Sequence, residues 1–253
     1  MNTLTIKDVR FGEGAPKAIV SLMGADAREC IAQARKAAEA GADLVEWRAD
    51  FMADVCELAG MMQVADELVA AIPSIPLLFT FRTAQEGGSA DIADAGYIDL
   101  VHAMIEHGSI DAVDVELRIG DKAVQEAVRR AREHGIKTVV SHHDFEGTPS
   151  IDEMCGLLVH MAQLGADVPK LAVMAHDESD ALRLLQATEQ ARRETSLPLI
   201  TMAMGRAGTI TRLVGEAFGS AGTFCALDSA SAPGQVDLEL ARRIMADLHD
   251  AIG

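Results

Sequence analysis

The sequence predicts an α/β fold, a (β/α)8 TIM barrel closed at its N-terminal end by a short hairpin, and three observations carry that expectation. Short apolar runs alternate with longer amphipathic segments along the whole chain. Eight such runs occur, each rich in Val, Ile, Leu or Phe and apolar on both faces, as the strands of a buried parallel sheet are. The length, 253 residues, suits eight strand–helix units of roughly 30 residues each. The alternative is an open doubly wound sheet, which usually has a glycine-rich phosphate loop after its first strand. Met23-Gly24-Ala25-Asp26 has no GxGxxG pattern. No linker, low-complexity tract or change of composition divides the chain, so residues 1–253 are expected to form one barrel domain.

Residues 4–6 and 9–11 read as the hairpin. The strands are expected at 18–23, 44–49, 77–81, 112–117, 138–142, 168–174, 199–204 and 223–227. Between them, segments such as 28–40, 55–71, 122–134 and 179–194 are rich in Ala, Glu, Leu and Arg. Their apolar positions recur at helical spacing with charges on the other face. Gly41, Gly135 and Gly165 stand where a helix ends before the next strand, and glycine there supplies a left-handed cap.

The formal net charge is −17, from 22 Lys+Arg against 39 Asp+Glu, and hydrophobic residues make up 49%. That apolar fraction is ordinary for a packed globular protein and argues against disorder. The negative field disfavours nucleic acid and anionic membranes as partners, since both require a basic face. It also sets a condition: an anionic substrate must be captured by particular arginines against the overall field. Cys30, Cys56, Cys155 and Cys225 are scattered, with no CxxC pair and no histidine at zinc-ligand spacing. They read as reduced core thiols of a cytoplasmic protein. Neither a signal peptide nor a membrane span is expected, since no basic start precedes an apolar run and no stretch reaches the roughly 18 apolar residues of a span.

A barrel places its chemistry at the C-terminal ends of its strands, so ionisable residues there are the candidates. Glu46 and Arg48 are two apart in the second strand and face the same way; paired inward they form a desolvated ion pair, costly unless a function needs it. Arg82 ends the third strand, and Glu86 follows in a loop that Gly87 and Gly88 are expected to make flexible. In the fourth strand Asp114 and Glu116 share a face opposite Val113 and Val115, and read as support for a site. In the fifth, Ser141 and His143 face one way and His142 the other. A histidine at such a strand end, with an ordinary pKa of about 6.5, is placed for acid–base work.

Lys170 is the most telling residue. Of six lysines, it alone is carried into an apolar strand. Desolvation of an ammonium favours its neutral, nucleophilic form, which is what a Schiff base with a ketone or aldehyde requires. The structural alternative is a lysine whose stem lines the core while its head reaches water. Met202 and Met204 alternate in the seventh strand and read as core. Arg212, expected near the start of a helix, is placed to grip a carboxylate with two hydrogen bonds. The small-residue loop 229–235 offers Ser231 and Gln235 as neutral hydrogen-bonding groups. No His/Asp/Glu cluster has metal spacing, and neither a GxSxG elbow nor a P-loop occurs, so the chemistry is read as needing no metal and no cofactor.

Taken together, residues 46–50 (EWRAD), 82–88 (RTAQEGG), 141–145 (SHHDF), 169–174 (PKLAVM) and 231–235 (SAPGQ) resemble type I 3-dehydroquinate dehydratase, in order and through essentially the whole chain. The resemblance implies a barrel of the Schiff-base aldolase kind, commonly a homodimer. It implies a cofactor-independent dehydration of 3-dehydroquinate, an anionic small molecule, to 3-dehydroshikimate in the shikimate pathway. Carried over residue by residue, it makes Lys170 the amine that condenses with the C3 ketone. His143 takes the C2 proton and serves as acid for loss of the C1 hydroxyl, while Glu86 orients and polarises His143. Glu46, Arg48 and Arg82 hold the ring hydroxyls and the electrostatics of the site, Arg212 binds the substrate carboxylate, and Ser21, Ser231 and Gln235 add hydrogen bonds.

Two positions depart from the family's pattern. His142 stands where Tyr is usual and, facing away from His143, is expected to affect packing only; Thr211 stands where Ser commonly precedes the arginine. The competing enzyme class is another Schiff-base barrel, an aldolase acting on a small keto acid. It shares the lysine but usually has a phosphate-binding glycine pair after strands seven and eight, whereas Arg212 and the Ser-Ala-Pro-Gly-Gln loop suit a carboxylate. A non-catalytic barrel is expected to have lost Lys170 or His143, and both are present.

Overall fold

The computed structural model describes residues 2–53 and 58–252; Val55, expected to open a helix, and Cys56 lie outside the described residues. The hairpin forms as expected, β1 (Leu4–Ile6) pairing antiparallel with β2 (Val9–Phe11). Eight parallel strands follow: β3 (Lys17–Leu22), β4 (Leu44–Arg48), β5 (Leu77–Thr80), β6 (Ala112–Glu116), β7 (Lys137–Asp144), β8 (Val168–Met174), β9 (Ile200–Met204) and β10 (Gly222–Ala226). A two-residue strand, β11 (Val236–Asp237), extends β10 on one edge. Strands β3 to β9 pair in chain order, and β10 pairs with β3. A parallel bridge between Leu199 and Ser220, with the Ala221 N–H donating to the Leu199 carbonyl at 2.7 Å, joins β9 to β10 and closes the ring.

Helices cover the outside of this ring: α1 (Ala27–Glu39), α2 (Leu58–Ala71), α3 (Asp94–His107), α4 (Asp121–Glu133), α5 (Ile151–Gln163), α6 (Glu178–Glu194), α7 (Gly205–Leu213), α8 (Gly215–Phe218) and α9 (Leu238–Ile252). None of them is long and apolar enough to cross a membrane. Gly41, Gly135 and Gly165 all have φ between 74° and 96°, the left-handed region in which a β-carbon is strained. The aspartates that follow two of these caps pin the barrel floor. Asp43, Asp111 and Asp167 each precede a strand and accept the N–H of the previous strand at 2.8–2.9 Å, on Ala18, Leu77 and Thr138.

The N-terminal half of the barrel interior is apolar. Ile19, Leu44, Leu78, Ala112, Val139, Val168 and Ile200 fill it, with Ile6 and Phe11 of the hairpin packed against them. Above that layer the strict alternation of a strand turns polar side chains inward and apolar ones towards the helices. Trp47 illustrates the division: it is fully buried on the helix side, edge-on to Phe79 at 5.4 Å, while Glu46 and Arg48 on either side of it enter the barrel. Cys30, Cys155 and Cys225 are free and buried, and burial pushes their thiols up to about 11, 11 and 12, so none is poised as a thiolate.

The observed strands agree with expectation to within one residue at each end, save the C-terminal end of the fifth. It runs on to Asp144, because His143 and Asp144 keep pairing with Ala172 and Val173 of β8.

Candidate active site

A cavity opens at the C-terminal ends of the strands. It is lined by Glu46, Arg48, Arg82, Glu86, His143, Lys170, Arg212, Ser231 and Gln235, nine of the ten residues singled out from the sequence. The tenth, Ser21, sits behind this wall, donating to Glu46 Oε2 at 2.6 Å and accepting from the Ser231 hydroxyl at 3.1 Å.

Lys170 is 3% exposed, and its neighbours are not the apolar ones its strand suggests. Inward on the barrel, Nζ lies 3.2 Å from Asp114 Oδ2, 3.7 Å from Glu46 Oε1 and 4.6 Å over the ring of Phe224. Burial works against ionisation of Asp114, but Arg82 and Lys170 outweigh it and hold the carboxyl below the usual aspartate range. Glu46 accepts from Ser21 and from Thr80 at 3.0 Å, so both carboxylates keep donors independent of the lysine. Asp114 also accepts from Ser141 at 2.7 Å.

The expected Glu46–Arg48 ion pair does not form. Arg48 instead closes a bidentate pair with Asp50 on the next turn, both bonds 2.7 Å, leaving Nη1 without a hydrogen bond among the described residues. Arg82 is also committed to the protein. Its Nη1 donates to Glu116 and Ser141 at 3.0 and 3.1 Å and lies 3.4 Å from Glu86, and Nη2 lies 2.9 Å from Asp114. Setting the electrostatics, one of the roles implied for it, fits this geometry, and Nη2 of this cavity-lining residue makes no hydrogen bond among the described residues. Glu116, fully buried, is held in turn by the Thr83 backbone and hydroxyl and by Arg118.

Glu86 lies in a tight turn, which corrects the expectation of a flexible loop. Ala84–Glu86 form one helical turn, Gly87 takes φ 81°, and a β-carbon on Gly88 would stand 1.8 Å from the Arg82 carbonyl. These glycines make a close approach possible and fix Glu86, which is 3% exposed. Its Oε2 accepts from His143 Nδ1 at 2.8 Å. Burial first, then Arg82, Lys170, Arg48 and His142, pushes His143 well below the ordinary histidine pKa. The imidazole is therefore neutral at pH 7, with its proton on Nδ1 toward Glu86 and its lone pair on Nε2. His142 also reaches this carboxylate, its Nδ1 lying 3.3 Å from Glu86 Oε1, so its effect is not confined to packing.

Arg212 stands in the last turn of α7, not near a helix start. Gly205, at φ 82°, lets the helix begin directly after β9, earlier than the sequence placed it. Arg212 is 3% exposed, and among the described residues only Nη2 is bound, to the Pro233 carbonyl at 3.2 Å; Nε and Nη1 have no partner there. Burial pulls its pKa down to about 10. A charge buried without its counter-charge costs about 3–5 kcal/mol, so these two donors mark where an anion belongs. The adjoining loop is braced internally: Gln235 accepts from the Ser231 N–H at 2.9 Å and donates to its hydroxyl at 2.8 Å.

Sequence reasoning missed the apolar wall. Phe145, Ala172, Met202, Met204, Phe224 and Ala232 also line the cavity. For the two methionines the signal was their alternation in the seventh strand, but an apolar residue looks alike whether it faces core or cavity. Among the described residues, no three His, Cys, Asp or Glu side chains are grouped to hold a metal ion.

Residues 18–251 match the family model for type I 3-dehydroquinase. The 3-dehydroquinate dehydratase of Shigella flexneri is 45% identical over 252 residues, 99% of this chain and all of its own. Among solved structures, the type I 3-dehydroquinate dehydratase of Clostridium difficile superposes with a TM-score of 0.95 at 39% identity, covering 99% of each chain. The 3-dehydroquinate dehydratase of Geobacillus kaustophilus does so with a TM-score of 0.96 at 36% identity, covering all of this chain and 98% of its own. On this fold, with these full-length matches, the chain belongs to the type I 3-dehydroquinase family, the hydro-lyases that convert 3-dehydroquinate to 3-dehydroshikimate in the shikimate pathway.

Proposed function

We propose that the dehydration runs in this cavity through a Schiff base on Lys170, with His143 as the acid–base group and Arg212 as the carboxylate anchor. The observation that carries this assignment is a single buried space shared by an amine, a neutral imidazole and an arginine with two unfilled donors. Lys170 Nζ, after shedding a proton toward the carboxylates of Asp114 and Glu46, adds to the C3 carbonyl, and loss of water leaves an iminium. The iminium withdraws electrons from C2, so Nε2 of His143 can remove the C2 proton and leave an enamine. The enamine pair expels the C1 hydroxyl, which takes the proton from His143 and leaves as water. Hydrolysis then restores the lysine and releases 3-dehydroshikimate. Glu46, Arg48, Ser231 and Gln235 border the space beside the reacting carbons and are assigned to the ring hydroxyls, with Ser21 behind them. No cofactor is assigned a part in this sequence.

The anchor gives a two-sided test. Arg212→Met is expected to raise KM for 3-dehydroquinate at least about tenfold, the loss of a charge-assisted pair. The same change removes an uncompensated buried charge, so the unliganded protein is expected to melt about 2–4 °C higher or more. Steady-state kinetics and a thermal melt read the two effects. An unchanged KM would move the carboxylate elsewhere.

A further inference from the structure

Building on the roles proposed above, we infer that His142 is a positioning residue: acting through the second oxygen of Glu86, it keeps that carboxylate ionised and thereby holds His143 in the tautomer whose lone pair faces substrate. The Glu86 carboxylate straddles the end of β7, with Oε2 2.8 Å from His143 Nδ1 and Oε1 3.3 Å from His142 Nδ1. Oε1 is buried and lacks any well-aligned hydrogen-bond donor among the described residues, which makes His142 the group placed to supply one. The two imidazoles differ in access: the His142 side chain is 31% exposed, that of His143 10%. Of the pair, His142 is the one that exchanges protons readily with solvent.

The consequence for His143 follows from hydrogen-bond bookkeeping. Burial pushes Glu86 toward its neutral form, and His142 and Arg82 oppose that. A neutral Glu86 would donate its own O–H to His143 Nδ1. The imidazole proton would then sit on Nε2, and no lone pair would face the iminium's C2 proton. A protonated His142, its Nδ1 3.3 Å from Oε1, opposes this switch by its charge. The groups facing His142 are Glu86 from the turn after β5, Asp144 from its own strand, and Arg82 from the barrel. Glu86 raises its pKa most, burial lowers it, Asp144 adds to the rise and Arg82 opposes, leaving it above the ordinary histidine value. The positive charge it holds beside Glu86 is thus kept to higher pH than on an ordinary histidine, and is lost as pH climbs through that raised value.

His142→Phe is expected to lower kcat about tenfold, the fold-change of one charge-assisted hydrogen bond, with KM changed less than about twofold. An alkaline decline of kcat is expected in the parent protein and disappears with this substitution. His142→Gln keeps an N–H for Oε1 but cannot titrate, so kcat at neutral pH returns to within about threefold of the parent and stays flat at higher pH. Independently of turnover, NMR titration of the full-length protein should place His142 above about 6.5, and Glu86→Gln should bring it down. Parent-like kcat and pH profile in His142→Phe, equal losses in Phe and Gln, or a His142 titration indifferent to Glu86→Gln would each overturn the inference. Failure of the Lys170 assignment is a separate result, read from the covalent intermediate rather than from these profiles.

Discussion

Lys170→Ala abolishes turnover, by at least about 10⁴-fold, while the protein stays folded and still binds 3-dehydroquinate. The size of the loss follows from the chemistry. Without an amine no iminium forms, and the C2 proton stays next to an ordinary ketone, out of reach for a neutral imidazole. Retention of the fold follows from the neighbours. Asp114 keeps Arg82 at 2.9 Å and Ser141 at 2.7 Å, and Glu46 keeps Ser21 and Thr80, so neither buried carboxylate is orphaned. Binding weakens only as far as losing one cation makes the cavity more negative, because Arg212 still holds the carboxylate. Circular dichroism, calorimetric binding and turnover separate the three quantities. Turnover near that of the parent protein would remove Lys170 from the mechanism.

His143→Ala still forms the imine but stalls at proton removal, with kcat down about 10²–10⁴-fold. The same residue sets the acid limb of the parent's pH profile. Its pKa lies well below the ordinary value because burial, aided by Arg82, Lys170 and Arg48, disfavours the charged form. A lowered pKa keeps the base neutral to lower pH, so kcat should hold at pH 6.5 and fall only well below it. Rapid-quench trapping of the imine in His143→Ala, alongside the pH profile of the parent, measures both effects. Should His143→Ala turn over freely while His142→Ala does not, the two adjacent histidines would exchange roles.

Much of this was readable before any coordinates, for identifiable reasons. The barrel follows from strand-length apolar runs and from glycines at helix ends, both of which depend only on local geometry. Alternation within a strand turned Glu46, Arg48, His143 and Lys170 into the cavity, and Asp114, Glu116 and Ser141 against Arg82 and Lys170. Alternation does not choose partners. Two same-face residues are about 6.6–6.8 Å apart along a strand, within reach of a Glu and an Arg, but Glu46 is taken by Ser21 and Thr80 and Arg48 found Asp50 folding back on the next turn. His142 escaped for a related reason. It points to the opposite face from His143, yet Glu86 lies over the end of the strand, where one carboxylate meets both rings. The apolar wall of Phe224, Met202 and Met204 has no signature that separates a cavity-facing residue from a core one. Arg212 was located by its chemistry, while its place in α7 depended on Gly205 turning straight from strand into helix.

Borohydride treatment with and without 3-dehydroquinate, followed by intact mass and peptide mapping, tests the covalent mechanism most directly. Reduction converts an iminium to a stable secondary amine, so an intermediate on the lysine becomes a permanent mass increment. The expected result is a substrate-dependent adduct on the peptide containing Lys170, carrying the dehydrated ring, with loss of activity in proportion to labelling. A folded protein that turns over 3-dehydroquinate yet forms no adduct, or forms it on another lysine, would contradict the assignment of Lys170.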